Sequence, residues 1–390
     1  MTLTFAPVTE RLRNSGGAKW AIHERCRRMQ AEGADIIELT IGEPDLAPDE
    51  RLIDTACAAM RAGRVGYSNG RGEPALLSAL AARYSARRPG VNEQNILCFP
   101  GTQTALYATM MGLTGPGDGV IVGDPFYATY EGVIRSSGAH LVPVPLRPEH
   151  GFQVQVEDIA AAINPDSRVV LLNSPQNPSG AVLSAEAVRA LGALCVDRGL
   201  WLVCAEVYEE KVFDGPFASP IDVPEYAEHV IVVSSISKSC AAPGFRSGWA
   251  VGPAAFCERV LPLSETMLFG NQPFIADMTT RALTDPPDTA RRMRSDYARR
   301  AGILFDRLSA VPELTPYRPA AGMFLLADVA RTGLDGEAFA WQLLEGGVAV
   351  MPGTSFGESA RTLIRISLTV PDHQLEEAAD RIARFVGELP

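Results

Sequence analysis

Paired cysteines are missing from this 390-residue chain. Its seven cysteines (Cys26, Cys57, Cys98, Cys195, Cys204, Cys240, Cys257) are odd in number and widely spaced, with no Cys-x-x-Cys. That pattern encodes neither a disulfide framework nor a Cys-rich zinc site. Its plain reading is buried, reduced thiols. Only five histidines occur, none in a ligand spacing, so no metal is expected. Positive charge is also short: 35 Lys plus Arg stand against 46 Asp plus Glu, a net charge of −11. The acidic balance argues against broad binding to nucleic acid or to an anionic membrane, which needs the opposite field; it does not exclude one local anion site. No apolar run approaches the ~20 residues of a membrane span. Residues Met1 to Asn14 are polar, carry Glu10 and lack a signal-peptide core, which reads as a cytoplasmic protein.

What remains is an ordinary globular composition, 46% apolar and 21% charged, enough for two or three domains at ~100–200 residues each. The middle of the chain alternates short apolar runs with helix-like runs. Strands are predicted at Asn95–Phe99, Val120–Gly123, Leu141–Val144, Arg168–Asn173, Trp201–Ala205 and Val230–Ser234. Helices are predicted at Thr104–Leu113, Thr129–Ser136, Ala185–Arg198 and Pro253–Leu268. Strands apolar on both faces, separated by helices, imply an α/β domain over residues 45–285, with a mostly parallel sheet covered on both sides. The ends differ. Residues 1–44 carry a helix near Ala18–Glu32 and a strand Ile36–Leu39. Residues 286–390 carry helices Ala290–Ala310 and Gln374–Gly387 and strands Met323–Leu326, Val348–Met351 and Leu363–Leu368. Together the ends read as one smaller α+β domain, with the Pro-rich Thr284–Asp288 as a hinge.

Ligands of open α/β sheets bind beyond the carboxyl ends of the strands, so the segments that follow each strand matter most. Pro100-Gly101-Thr102-Gln103 is a glycine turn entering a helix, suited to a phosphate or simply a turn. Asp124-Pro125-Phe126-Tyr127 offers aromatics that either stack on a flat ring or fill the core. Ser174-Pro175-Gln176-Asn177-Pro178-Ser179-Gly180 is a stiff turn, either a plain loop or a platform presenting the Asn177 amide. Ser235-Ile236-Ser237-Lys238 follows an apolar strand, with Arg246 and Gly248-Trp249 beyond it. A lysine there is either a solvated loop charge or an amine made nucleophilic by lost solvation, and the hydroxyls and guanidinium beside it suit a phosphate. Arg365 shares one face of its strand with Leu363 and Ser367. It needs an anion, whether a structural partner or a substrate carboxylate.

These elements, in this order, resemble the class I/II aminotransferases, which use pyridoxal 5′-phosphate on fold type I. The resemblance spans Ile41-Gly42-Glu43-Pro44-Asp45 to Arg365-Ile366-Ser367. Its specific motifs are Asn173 to Gly180 and Ser235 to Lys238 with Arg246. It implies that Lys238 condenses with the cofactor aldehyde and later carries the shifting proton. Gly101, Thr102 and Gln103 would hold the phosphate, aided by Ser235, Ser237 and Arg246. Tyr127 would stack on the pyridine ring, and Asn177 and Tyr208 would bond its 3′-oxygen. Arg365, with Asn177 and the Gly42 backbone, would clamp the α-carboxylate. Tyr67 would reach the phosphate of the neighbouring subunit, making an obligate homodimer with a shared site. Amino acids and 2-oxo acids would be its small-molecule partners. Trp20-Ala21-Ile22-His23 early in the chain and Glu131 after Tyr130 are similar to bacterial catabolic transaminases of this family, and Trp20 and Lys19 are candidates for the side-chain pocket.

One position departs from the pattern. The family ends the strand before its tyrosine with Asp-Glu-x-Tyr; this chain has Ala205-Glu206-Val207-Tyr208. The missing carboxylate is the one that pairs with the pyridine nitrogen and keeps the ring an electron sink. Glu206 is no substitute, because neighbouring strand residues point to opposite faces. The departure leaves three readings: a transaminase weakened at this position, a reaction needing less ring assistance, or a cofactor binder with little turnover. Carbon–sulfur lyases, decarboxylases and racemases share the scaffold and stay open on the sequence alone. No second arginine is assignable to a distal carboxylate. Cys240, two residues after the lysine, reads as packing.

Overall fold

The computed structural model describes residues 3–13 and 17–389. Two sheets organise them. Strands in chain order are β1 (Ile37–Leu39), β2 (Ile96–Phe99), β3 (Gly119–Asp124), β4 (His140–Pro145), β5 (Ser167–Asn173), β6 (Trp201–Ala205), β7 (Val230–Ser235), β8 (Gly248–Val251), β9 (Thr315–Tyr317), β10 (Phe324–Asp328), β11 (Val348–Pro352) and β12 (Leu363–Ser367).

The larger sheet runs β2-β8-β7-β6-β5-β3-β4. Neighbouring strands pair in parallel except at β8, which is antiparallel to β2 and β7. Strand alternation splits its core in two. Val170, Leu172, Leu202, Cys204, Val230 and Val232 pack on one face. Val169, Leu171, Val203, Ala205, Ile231 and Val233 pack on the other. Each aliphatic side chain fully buried this way contributes about 1.5–3 kcal/mol. Helices cover both faces and are set by local signals. In Ala185–Arg198, the Ser184 hydroxyl accepts from the Ala187 N–H (3.0 Å), and Gly199 ends the helix at φ +64°, the left-handed stop that glycine favours.

The smaller sheet runs β1-β11-β12-β10-β9, with β1 and β11 parallel and the rest antiparallel. Both chain ends build it: Ile37 is in register with Val348. The closing helix Asp372–Gly387 buries Leu375, Ala378, Ala379, Ile382 and Val386, a helical stripe laid on the sheet. The opposite face turns toward the larger sheet, where Leu326 and Leu363 meet Leu146 and Phe152.

The early helix and β8 differ from the sequence reading. The early helix is Ala21–Ala31, preceded by a 3₁₀ turn at Gly17–Trp20. β8 is a strand, because Gly248 and Trp249 bridge β2 and β7. The strand order turns at β3, with β4 on one side and β5, β6 and β7 on the other. That is a topological switch point, and a crevice opens at the strand ends beside it.

Candidate active site

A cleft opens at those strand ends, roofed by residues of the smaller sheet. Thr102, Gln103, Tyr127, Asn177, Tyr208, Ser235, Ser237, Lys238, Arg246, Gly42 and Arg365 all line it. The cleft thus gathers residues spread over more than three hundred positions of sequence.

One end is an anion cradle. The helix Thr102–Leu113 starts from Gly101 at φ +88°, with no side-chain cap on its free N–H groups. A Cβ on Gly101 would collide with the Arg246 guanidinium, so glycine is required there for approach as well as conformation. A Cβ on Gly248 would lie 2.6 Å from the Gly101 carbonyl carbon and 2.7 Å from the Thr102 nitrogen. β8 therefore presses against the turn and fixes it. Arg246 donates to the Pro243 and Pro100 carbonyls (2.7 and 3.4 Å). The Thr102 hydroxyl is buried with no partner, and an orphaned buried donor calls for an acceptor in the cleft. Uncapped amides, a guanidinium and hydroxyls converging on one spot suit a phosphate.

Lys238 sits on the single turn Ile236–Ser239 directly after β7. Its Nζ donates to the Gly42 carbonyl at 2.6 Å, across from the smaller sheet. Burial, with Arg365 and Arg246 adding repulsion and Glu43 opposing, pulls its pKa down to about 8. Part of the amine population is therefore unprotonated and nucleophilic near neutral pH. Gly42 itself has no room for a side chain: a Cβ would meet the Phe324 ring, with one edge carbon at 2.8 Å.

At the opposite end, Arg365 is 2% exposed. One guanidinium nitrogen donates to the Asn177 side-chain oxygen (3.0 Å), another to the Thr40 carbonyl (2.5 Å), and Nε has no partner. The group lies between Phe324 and Phe356, 3.9 and 4.5 Å from the ring centres. Burial pulls its pKa down to about 10, which leaves it charged at neutral pH. No carboxylate of the described residues pairs with Arg365, so the structural ion pair is absent and a buried cation faces the cleft. Tyr208 also lines the cleft, and burial raises its phenol. The Asn173 side chain shapes this turn by accepting from the Asn177 N–H (2.9 Å) and donating to the Ala205 carbonyl (2.9 Å).

Other expected residues differ. Gly101 forms the turn at the cradle without lining the cleft, and its N–H is taken by the Phe99 carbonyl (2.7 Å). Tyr67 is 93% exposed, its ring against Phe269 at 5.7 Å, away from the cleft. Trp20 lines the cleft, but Lys19 pairs with Glu131 (2.9 Å) and does not. Cys240 is buried, with its thiol raised to about 11 by burial. No group of three or more His, Cys, Asp or Glu side chains fit to hold a metal occurs among the described residues. Reading from sequence missed Thr40, Phe324 and Phe356, which hold Arg365 from three separate segments.

The family profile described as aminotransferase class I and II matches residues 34–382. The chain belongs to the class I and II aminotransferases. It is 41% identical over 390 residues to the arginine–pyruvate transaminase AruH of Pseudomonas aeruginosa, covering 99% of both chains. It is 32% identical over 373 residues to the aspartate/prephenate aminotransferase of Thermus thermophilus, covering 94% of this chain and 95% of that one. The structure of the Thermus thermophilus aspartate aminotransferase with maleate superposes with a TM-score of 0.93 at 30% identity, covering 98% and 100% of the two chains. These transaminases share fold type I and depend on pyridoxal 5′-phosphate. The cleft fits that cofactor at its phosphate end, at its aldehyde end and along Tyr127. At the ring-nitrogen end Ala205 offers no carboxylate. Among the described residues no helix is long and apolar enough to cross a membrane.

Proposed function

We propose that this chain moves the amino group of an α-amino acid to a 2-oxo acid, as a cytoplasmic homodimer, at a rate limited by Ala205. The observation that carries this reading is Lys238: a desolvated amine at a strand end, between an anion cradle and a buried guanidinium. Residues 45–285 form the cofactor-holding domain; residues 1–44 and 286–390 form the small domain that supplies Arg365.

Backbone N–H groups at Thr102 and Gln103 hold the phosphate, with Ser235, Ser237 and Arg246, while Gly101, whose own N–H donates to the Phe99 carbonyl (2.7 Å), shapes the turn. Tyr127 covers the ring face. Asn177 and Tyr208 hold the ring oxygen. Pyridoxal 5′-phosphate, when bound, supplies an aldehyde for the amine and an aromatic ring that takes up electron density from the substrate. Lys238 would be the amine that holds the cofactor's aldehyde end, and its Nζ would then hold and move a proton beside the substrate α-carbon. Arg365, with Asn177 and the Gly42 N–H, orients the α-carboxylate so that the reacting C–H faces Lys238. Tyr67, solvent-facing in its own chain, reaches the partner's phosphate. Two relatives named as transaminases favour amino transfer over the lyase, decarboxylase and racemase readings. The name of the first makes L-arginine and pyruvate the first pair to test.

The test is a reconstitution. Protein loaded with pyridoxal 5′-phosphate and reduced with borohydride should carry the cofactor mass on Lys238; Lys238→Ala should not. Incubation with a donor panel and pyruvate should form alanine one-for-one with the donor's 2-oxo acid. Unaltered absorbance and turnover in Lys238→Ala would refute the assignment. Ammonia released without an acceptor would point to a lyase.

A further inference from the structure

The clamp around Arg365 is asymmetric. Phe324, on one side of the guanidinium, belongs to β10 beside β12 and is fixed by the sheet, in register with Ser367. Phe356, on the other side, belongs to none of the strands. It rides on two short turns, Gly353–Phe356 and Glu358–Ala360, that follow β11. Within the small domain, a side-chain bond from Thr354 to Glu337 (2.7 Å) steadies the start of this segment. Three further hydrogen bonds come from the large domain. The Phe126 N–H, just past β3, donates to the Phe356 carbonyl at 2.7 Å. The Ser359 hydroxyl donates to Asp124 at 2.7 Å and the Ser359 N–H to its other oxygen at 3.3 Å. Gly357, at φ +132°, has no room for a Cβ because the Asp124 carboxylate occupies that place. Asp124 is 5% exposed, so its bonds form in a desolvated setting, where hydrogen bonds to an ionised acceptor are strong.

We propose that Asp124, at the end of β3, is a positioning residue for the substrate-carboxylate clamp: by gripping Ser359 and filling the space over Gly357, it seats Phe356 on the Arg365 guanidinium. The inference rests on the reading of Arg365 given above. A guanidinium is planar and recognises a carboxylate edge-on. Rings on both of its faces set that plane, and each adds cation–π attraction. With one ring registered to the large domain, the clamp is held at a set distance from Lys238 and the anion cradle. Asp124 thus joins the two domains at the point where the substrate must touch both. Ser355 adds a weaker tie, its hydroxyl donating to the Lys19 carbonyl at 3.2 Å.

Two variants and two probes test it. Ser359→Ala removes one bond without disturbing the backbone; Asp124→Asn keeps the shape and removes the charge. Holoenzyme is titrated calorimetrically with 5-guanidinopentanoate, a carboxylate with no amine to react. Apoprotein is titrated with inorganic phosphate as a probe of the cradle. The proposal expects carboxylate affinity to fall about three- to tenfold in each variant, the worth of one such bond. KM for the amino donor should rise by the same factor, kcat should change less than twofold, and phosphate affinity should hold. Carboxylate affinity unchanged in both variants overturns it. So does a parallel loss of phosphate affinity, which would mark a general structural role. Arg365→Lys separates the premise: if that variant binds the carboxylate as wild type does, the clamp assignment itself fails.

Discussion

Ala205 and Glu206 are consecutive, yet they serve opposite faces of the large sheet. Ala205 lines the cleft, while Glu206 is fully buried on the side of Cys204, where the Ser219 hydroxyl donates to one of its oxygens and the other has no partner. The carboxylate this strand retains is therefore walled off from the cofactor by the sheet. Ala205→Asp should restore a charge facing the ring. If that raises the ring-nitrogen pKa by two units, the stabilisation is about 2.7 kcal/mol, roughly a hundredfold in rate. Single-turnover conversion of the cofactor's absorbance by an amino acid, compared between the two proteins, measures it. Equal rates would remove Ala205 as the limiting position.

The buried pair Glu206 and Lys211 should give stability a minimum near neutral pH. Burial, with Glu209 adding to it, raises Glu206 to about 8, so its folded form resists an ionisation that the unfolded chain undergoes above about 4.5. Stability falls as pH rises across that interval. Lys211 is 0% exposed, with the Met293 sulfur (3.5 Å) as its partner and the Tyr297 ring nearby. Burial lowers it to about 7, and the unfolded amine holds its proton to about 10.4. Stability therefore rises with pH from about 7 to 10.4. Thermal melts from pH 5 to 10 should show both limbs. Glu206→Gln should flatten the first and Lys211→Met the second, with Lys211→Met also raising Tm at pH 7.

Gly248→Ala should cost about 1–3 kcal/mol, because the added methyl has only backbone to displace. The displaced backbone is the Gly101–Thr102 turn, so loss of phosphate affinity should accompany the drop in Tm. Calorimetry with inorganic phosphate reads the first effect and a melt the second. A drop in Tm with normal phosphate binding would separate β8 from the cradle.

Tyr67 and Phe269 form an exposed aromatic pair, 93% and 62% accessible, with Val65 at 64% beside Tyr67 in sequence. Exposed apolar groups of this size mark an interface. Sedimentation should show a dimer, and Phe269→Asp should shift it toward monomer at micromolar concentration. Tyr67→Phe should keep the dimer and loosen the cofactor, read by its loss on dialysis. A wild-type monomer that retains cofactor would remove Tyr67 from the site.

The sequence made the strand ends legible because each apolar run stops where its polar motif begins. Lys238, Asn177 and the Gly101 turn could be placed that way. Strand parity placed Glu206 away from the cleft and set Arg365 on the strand face it shares with Leu363 and Ser367. The clamp around Arg365 was not legible: Thr40, Phe324 and Phe356 each look like ordinary core residues until three segments meet. Lys211 was missed for a similar reason. In Glu-Glu-Lys it reads as a surface charge, and only the helix Thr289–Ser309, carrying Met293 and Tyr297, buries it. Lys19 looked free to enter the pocket, but Glu131 holds it outside. β8 was hidden by being four residues long and opening on a glycine.

The pairing of β1 with β11 sets an order of manufacture. Residue 37 leaves the ribosome long before residue 348 exists, and Arg365 follows later still. A nascent chain thus completes its phosphate cradle and reactive lysine while the carboxylate clamp has yet to be synthesised. A chain that ends between Gly252 and Arg365 would carry Lys238, Arg246 and the Gly101 turn but not the buried guanidinium that faces them.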